Sequence, residues 1–275
     1  MTQFSTNTIN LRKMTTTLDG QNNAMYQIGD ITFNDFIGKN LKIEFLGEIN
    51  CVSCGTKTKK SYSQGHCFMC MRRLPECDIC IVKPELCHYS QGTCRDPSWG
   101  EANCLKTHIV YLSNTGNMKV GITKIKNVPS RWIDQGAAYA VPIFAVENRL
   151  LSGLVEVAIK ENIADKTNWR KMLQGEPENL DLLAMRDELL EKSKQKIADI
   201  KAKYGENSVE PVDSKVQHIN FPVEEYPIKI KSFNFDKDPV INAKLMGIKG
   251  QYLIFDTGVI NIRKFSGYKC ELTES

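Results

Sequence analysis

KTHIVYLSNTGNMKVGITKIKNVPSRWIDQGA, residues 106–137, contains two β-rich runs, a turn and the start of a helix. HIVYLS and MKVGIT hold the β-branched and aromatic residues that suit a pleated strand, and NTGN between them is hairpin chemistry. RWIDQGAAYA has helical character that Gly136 interrupts or ends. Beyond it, VENRLLSGLVEVAIKENIADK places Leu150, Leu151, Leu154, Val155, Val157, Ala158 and Ile159 on an amphipathic helix that also carries Glu156. The polar residues Tyr111, Lys119 and Arg131 gather around this hairpin, directly behind a run of nine cysteines.

Those nine, of ten in the chain, lie between residues 51 and 104, and the polar start MTQFSTNTINLRKMTTTLDG lacks the apolar segment of a signal peptide. Such crowding points to metal binding rather than a disulfide framework, and to a cytoplasmic protein. In CVSCGTKTKKSYSQGHCFMC, the pairs Cys51-x2-Cys54 and Cys67-x2-Cys70 stand twelve residues apart. This is the spacing of a zinc ribbon, in which two knuckle turns set four thiolates tetrahedrally around one Zn²⁺. Gly55 suits the turn after the first knuckle. An all-thiolate site leaves no coordination position open to water, so this zinc is expected to be structural.

The adjoining stretch adds Cys77, Cys80, Cys87, Cys94 and Cys104, with His88 and His108 nearby. Five thiols and two imidazoles exceed the four ligands of one tetrahedral ion. The preferred set for a second Zn²⁺ is Cys80, Cys87, Cys94 and Cys104, with Cys77, His88 and His108 as rivals. A cubane iron–sulfur cluster also takes four thiolates and is compatible with this irregular spacing. Cys270, isolated near the end, reads as a small buried hydrophobe.

ENLDLLAMRDELLEKSKQKIADIKAKYG, residues 178–205, is the longest helical pattern and ends at Gly205. Leu183, Leu190, Ile197 and Tyr204 recur every seven residues, but Arg186 and Ser193 spoil the companion seam, so a helix packed on its own domain is expected. ENSVEPVDSKVQ reads as a polar linker. From residue 217 the chain is strand-rich, with turns at IKGQ, DTGV and FSGY, and predicts a small antiparallel sheet or barrel that QIGDITFNDF and LKIEFLGEI, near the start, are able to join. Lys244, Lys249, Arg263 and Lys264 beside Tyr252, Phe255 and Phe265 read equally as a nucleic-acid surface or as a solvated face over an aromatic core.

Length and composition suit a soluble globular α+β chain. Its 275 residues are 41% hydrophobic and 25% charged, and no stretch approaches the roughly 20 apolar residues of a membrane helix. The net charge of +4 is unevenly spread: residues 51–131 hold twelve Lys and Arg against five Asp and Glu, a formal +7, leaving −3 elsewhere. Bound thiolates cancel part of that excess.

The hairpin and the helices after it, roughly residues 108–170, resemble the GIY-YIG nuclease superfamily. Val110-Tyr111-Leu112 stands for its GIY strand, Lys119-Val120-Gly121 for its YIG strand, Arg131 for the arginine that opens the next helix, Glu156 for the metal-binding glutamate, and Asn168 for the asparagine that often comes after it. The second tyrosine of the family is Lys119 here. The resemblance implies a small sheet with flanking helices, a catalytic set of Tyr111, Lys119, Arg131, Glu156 and Asn168, and Mg²⁺ or Mn²⁺ at Glu156. The chain as a whole is similar to an uncharacterised bacterial family with a cysteine segment, a KVGIT and RWIDQGA core and a GIKGQYLIF tail.

The chain divides into five parts: N-terminal strands to residue 50, a cysteine-rich zinc-binding segment over 51–105, the GIY-YIG-like core over 106–175, a long amphipathic helix over 176–206, and a β-rich part over 207–275. Three functions are compatible with them. The first is a zinc-stabilised nucleic-acid-binding protein, DNA or RNA undetermined, that hydrolyses phosphodiesters with a divalent metal. The second binds nucleic acid without cutting, and the third is a zinc-stabilised protein-interaction scaffold. Without the resemblance, Tyr111 reads as a packed aromatic, Arg131 as one half of an ion pair, and Glu156 as part of a solvated helix face.

Overall fold

In the computed structural model, which describes residues 6–163 and 168–274, strands His108–Asn114 and Met118–Lys124 pair antiparallel around Thr115, Gly116 and Asn117. Gly116 takes φ +98°, and its N–H donates to Asn114 Oδ1 at 3.0 Å, which closes the turn. The RWIDQG segment is helical only over Ser130–Asp134, since Gly136 takes φ +71°. The next element has no counterpart in the sequence expectations: AYAVPIFAV contains strand Tyr139–Val146, which pairs with the far side of His108–Asn114. That makes His108–Asn114 an inner strand, buried at every position, while Met118–Lys124 is left at the sheet edge. Val209–Pro211 and Gln217–His218, from the expected linker and its end, pair with Tyr139–Val146 on its other side.

The pleat sends alternate residues of the inner strand into different cores. Ile109 and Tyr111 join a core shared with the larger sheet, whereas Val110 and Leu112 pack with helices Arg149–Lys160 and Leu182–Tyr204. Asn148 caps the first helix by accepting from Leu151 N at 3.0 Å, and Asp181 caps the second through Ala184 N. The long helix buries Leu182, Leu189, Ser193 and Ile197, while Leu183 and Tyr204 of the expected seam are exposed. Ser193 lies in the interface because a small hydroxyl fits there, accepting from Asn162 Nδ2 at 3.1 Å and reaching Ala158 O.

The larger sheet is antiparallel throughout. Its order is Thr6–Asn10, Tyr268–Glu274, Asn40–Asn50, Val240–Lys249, Tyr252–Phe255 and Gly258–Asn261, with Lys57–Thr58 also paired to Asn40–Asn50. Strands from both ends of the chain therefore share one sheet, and a three-stranded sheet, Thr15–Leu18, Ala24–Ile28 and Ile31–Thr32, packs against the same core.

The C-terminal cations and aromatics do not form one surface. Phe255, Phe265 and Cys270 are core residues, and Lys249 is fully buried. Lys249 Nζ donates to Gly175 O at 2.9 Å between the rings of Phe221 and Tyr226, and burial lowers its pKa to about 8. Hydropathy hides such a residue, because a long aliphatic stem buries well when its ammonium finds an acceptor. Among the described residues no helix is long and apolar enough to cross a membrane.

Candidate functional site

Two knuckles build the first cysteine centre. The chain leaves strand Asn40–Asn50 at Cys51, whose carbonyl accepts from Gly55 N at 2.9 Å, and Gly55 takes φ +73° as the first turn requires. Cys67 caps helix Phe68–Arg73, its sulfur accepting from Cys70 N at 3.4 Å. The four sulfurs of Cys51, Cys54, Cys67 and Cys70 all lie within 4.8 Å of one another, with Cys54 and Cys67 at 3.9 Å. A single tetrahedral ion with metal–sulfur bonds of about 2.3 Å demands this spread, so the set is able to hold Zn²⁺. The hydroxyl and amide of Thr56, with the neighbouring thiols, lower the Cys54 pKa to about 6, which favours the thiolate a metal needs.

Cys80, Cys87, Cys94 and Cys104 line a second, smaller space together with Asp78 and His88. Here the compact group is Asp78, Cys80 and His88, whose ligand atoms lie within 4.8 Å. Asp78 already accepts from Arg95 Nε at 2.6 Å, and His88 Nδ1 meets Thr93 Oγ1 at 2.8 Å. Cys77 does not line this space and sits beside Ser63. His108 is also outside it, buried in the small sheet with Nδ1 donating to Lys106 O at 2.7 Å.

A cleft of about 500 Å³ runs along the edge strand Met118–Lys124. Lys119, Arg131 and Glu156 all line it, brought together by the edge strand, helix Ser130–Asp134 and helix Arg149–Lys160. Tyr111 lies fully buried beneath, on the same pleat face as Lys119 and Gly121. Its hydroxyl donates to Gln135 Oε1 at 2.6 Å, its ring meets Trp132 edge-on at 5.8 Å, and burial raises its pKa to about 12 despite the nearby Arg131. Glu156 pairs with Lys160 at 3.0 Å, and its pKa is raised by burial. Asn168 does not line the cleft; its side chain caps helix Trp169–Met172, accepting from Arg170 N and Lys171 N.

A family model matches residues 38–270, from the large sheet's inner strand to its last one. The chain belongs to the proteins of unknown function DUF2797. No curated protein and no solved structure matches it. What this DUF2797 chain brings to the cleft beyond the motif residues comes from distant parts of the sequence. Lys13 and Arg263 arrive from the two ends of the chain, and Arg149 opens the helix that carries Glu156. Arg149 donates to Cys80 O and Ile81 O, at 3.3 and 2.6 Å, fastening the cysteine segment to that helix. Among the described residues seven Lys and Arg line the cleft against two carboxylates, Asp134 and Glu156, and Asp134 is engaged by Lys13, Thr16 and Gln251. Burial and then Arg131 disfavour the Arg263 charge, which the Asp134 carboxylate offsets only in part. Such a cleft attracts an anion. Arg149 and Arg263 carry no local motif; only the tertiary fold brings them to Arg131.

Proposed function

We propose that this DUF2797 chain is a zinc-stabilised nucleic-acid-binding protein whose cleft holds a phosphodiester backbone and cleaves it with a divalent metal. The observation that carries the reading is the convergence of Lys119, Arg131 and Glu156 on one cation-rich cleft, in the order the GIY-YIG resemblance requires. Cys51, Cys54, Cys67 and Cys70 hold one structural Zn²⁺, and Cys80, Cys87, Cys94 and Cys104 form a second metal centre behind the cleft wall.

Asp134 is engaged by three donors, so a divalent ion in the cleft would take Glu156, which would exchange its ion pair with Lys160 for the metal. One carboxylate plus waters and substrate phosphate is an ordinary Mg²⁺ environment. Mg²⁺ or Mn²⁺ there supplies charge neutralisation at the scissile phosphate and its leaving oxygen. Arg131 donates to the non-bridging oxygens as negative charge builds, and protonated Lys119 holds a phosphate. Tyr111, with a pKa near 12 and its hydroxyl donated to Gln135, stays a phenol at neutral pH and removes no proton from a water.

The test incubates metal-replete protein with single- and double-stranded DNA and RNA, with Mg²⁺, Mn²⁺ or chelator, beside Glu156→Gln and Arg131→Ala. Cleavage that needs the ion and vanishes in both variants supports the reading, whereas cleavage unaffected by Glu156→Gln sinks it.

A second reading, binding without cleavage, is favoured by Tyr111, whose hydroxyl is buried and held by Gln135, and by Lys119 at the second tyrosine position. Binding in every condition with no cutting selects it. Affinity that falls steeply with salt separates both readings from a protein-interaction scaffold.

A further inference from the structure

The helix that Cys67 caps, Phe68–Arg73, buries none of its residues. Phe68 and Met69, 48% and 51% exposed, open it with two large apolar side chains that join none of the hydrophobic cores. A tight loop brings a third beside them. Tyr62 N donates to His66 O at 2.8 Å and His66 N to Tyr62 O at 2.7 Å, and the Tyr62 ring forms a T-shaped pair with Phe68 at 5.7 Å. Two stacked rings would cover each other's faces, and this pair does not. Lys60 Nζ stands 5.4 Å from the centre of the Tyr62 ring and Arg72 Cζ 5.8 Å from that of Phe68, both on long side chains of exposed residues.

The charge around these rings has one sign. KTKKSYSQGHCFMCMRR, residues 57–73, holds five Lys and Arg and no Asp or Glu. Glu48 engages Lys57 at 3.3 Å. The other four, Lys59, Lys60, Arg72 and Arg73, outnumber the charge of about −2 on a zinc held by four thiolates.

We infer that this knuckle face is a second nucleic-acid contact, where unpaired bases of a single strand stack on Phe68 and Tyr62 while Lys60 and Arg72 hold its phosphates. Ring and cation lie side by side here, as base and phosphate do in a strand, and a duplex hides the base faces that such rings take. The inference rests on the nucleic-acid reading of the cleft for its class of partner, and it needs no cleavage.

Fluorescence anisotropy with labelled oligo-dT, oligo-rU and an abasic strand of equal length tests it on the full, metal-replete chain, beside Phe68→Ala, Phe68→Tyr and Arg131→Ala, with zinc per chain measured for each. Phe68→Ala is expected to weaken binding of the base-bearing strands by about five- to a hundredfold, Phe68→Tyr to leave it nearly unchanged, and the abasic strand to bind parent and Phe68→Ala alike. Equal affinity of parent and Phe68→Ala for oligo-dT would overturn the inference, as would an equal loss on the abasic strand; the cleft reading survives either result if Arg131→Ala still weakens binding. Where Phe68→Ala loses its zinc, the parent decides, since affinity for the abasic strand equal to that for oligo-dT would overturn the stacking. No binding of any strand would overturn both readings.

Discussion

Tyr111 lies across Gly121. The two residues face each other in the hairpin, and a Cβ on Gly121 would stand 2.7 Å from the Tyr111 hydroxyl oxygen. The glycine is there for that ring, not for its backbone freedom. Gly121→Ala is expected to push the phenol off Gln135 and to cost about 1–3 kcal/mol by overpacking. Urea unfolding checks this, with Tyr111→Phe as the control that keeps the ring and removes only the hydroxyl. A Gly121→Ala protein as stable as the parent would show that the ring is not confined.

Zinc removal should act locally first. Cys67 is both a candidate ligand and the cap that accepts from Cys70 N. Cys67→Ser is expected to lose about one zinc per chain and to raise amide exchange sharply across residues 51–74, because the knuckles have little core of their own. Hydrogen exchange read by mass spectrometry separates this from a global loss, which would speed exchange in Val240–Lys249 as well.

Gly153 sets the distance between the cysteine segment and the helix of Glu156. A Cβ there would meet Glu85 N at 2.4 Å, a backbone atom unable to swing away. Gly153→Ala is therefore expected to destabilise by about 1–3 kcal/mol and to weaken the nucleic-acid binding proposed for the cleft, since Ile81, Val82 and Pro84 form part of its wall. Thermal melts and a fluorescence-anisotropy titration report the two effects separately.

His108 predicts an acid-side loss of stability. Burial lowers its pKa to about 4 from the usual 6.5, so the folded chain keeps it neutral while the unfolded chain protonates it. Below pH 6.5 the unfolded state binds more protons, and stability falls as pH drops toward about 4, by about 3 kcal/mol in total for a group this buried. His108→Phe should flatten that part of the profile. Denaturant midpoints of both proteins from pH 7.5 to 4.5 provide the comparison, and parallel curves would remove His108 as the cause.

The knuckles were legible because ligand spacing is local chemistry: Cys51-x2-Cys54 and Cys67-x2-Cys70 must close on an ion wherever the rest of the chain goes. The hairpin was legible for the same reason, through Gly116 and two β-branched runs. Strand Tyr139–Val146 was not, because its apolar run lacks a helix or strand period and sits directly behind a true helical turn. Lys249 looked like surface, and Asn168 like a site residue, because a one-letter string shows charge and order but not which groups are covered. Arg149 joins Arg131 when its helix packs on the small sheet and Arg263 when the large sheet closes, and no pattern in the sequence announces that meeting.

That closure has a timetable. Glu44 faces Val240 on one side and Glu271 on the other, so strand Asn40–Asn50 waits for partners made some two hundred residues later. At ribosomal speeds of about 5–20 residues per second, its edges wait on the order of ten to forty seconds for these partners, apart from Ile49 and Asn50, which pair with Lys57–Thr58. The cysteine segment emerges immediately after it, and a zinc ion taken up at Cys51, Cys54, Cys67 and Cys70 would anchor the strand's end during the wait. Metal shortage should then appear in the cell less as inactive folded protein than as nascent chain caught by chaperones or lost to aggregation, with mature, already folded molecules spared.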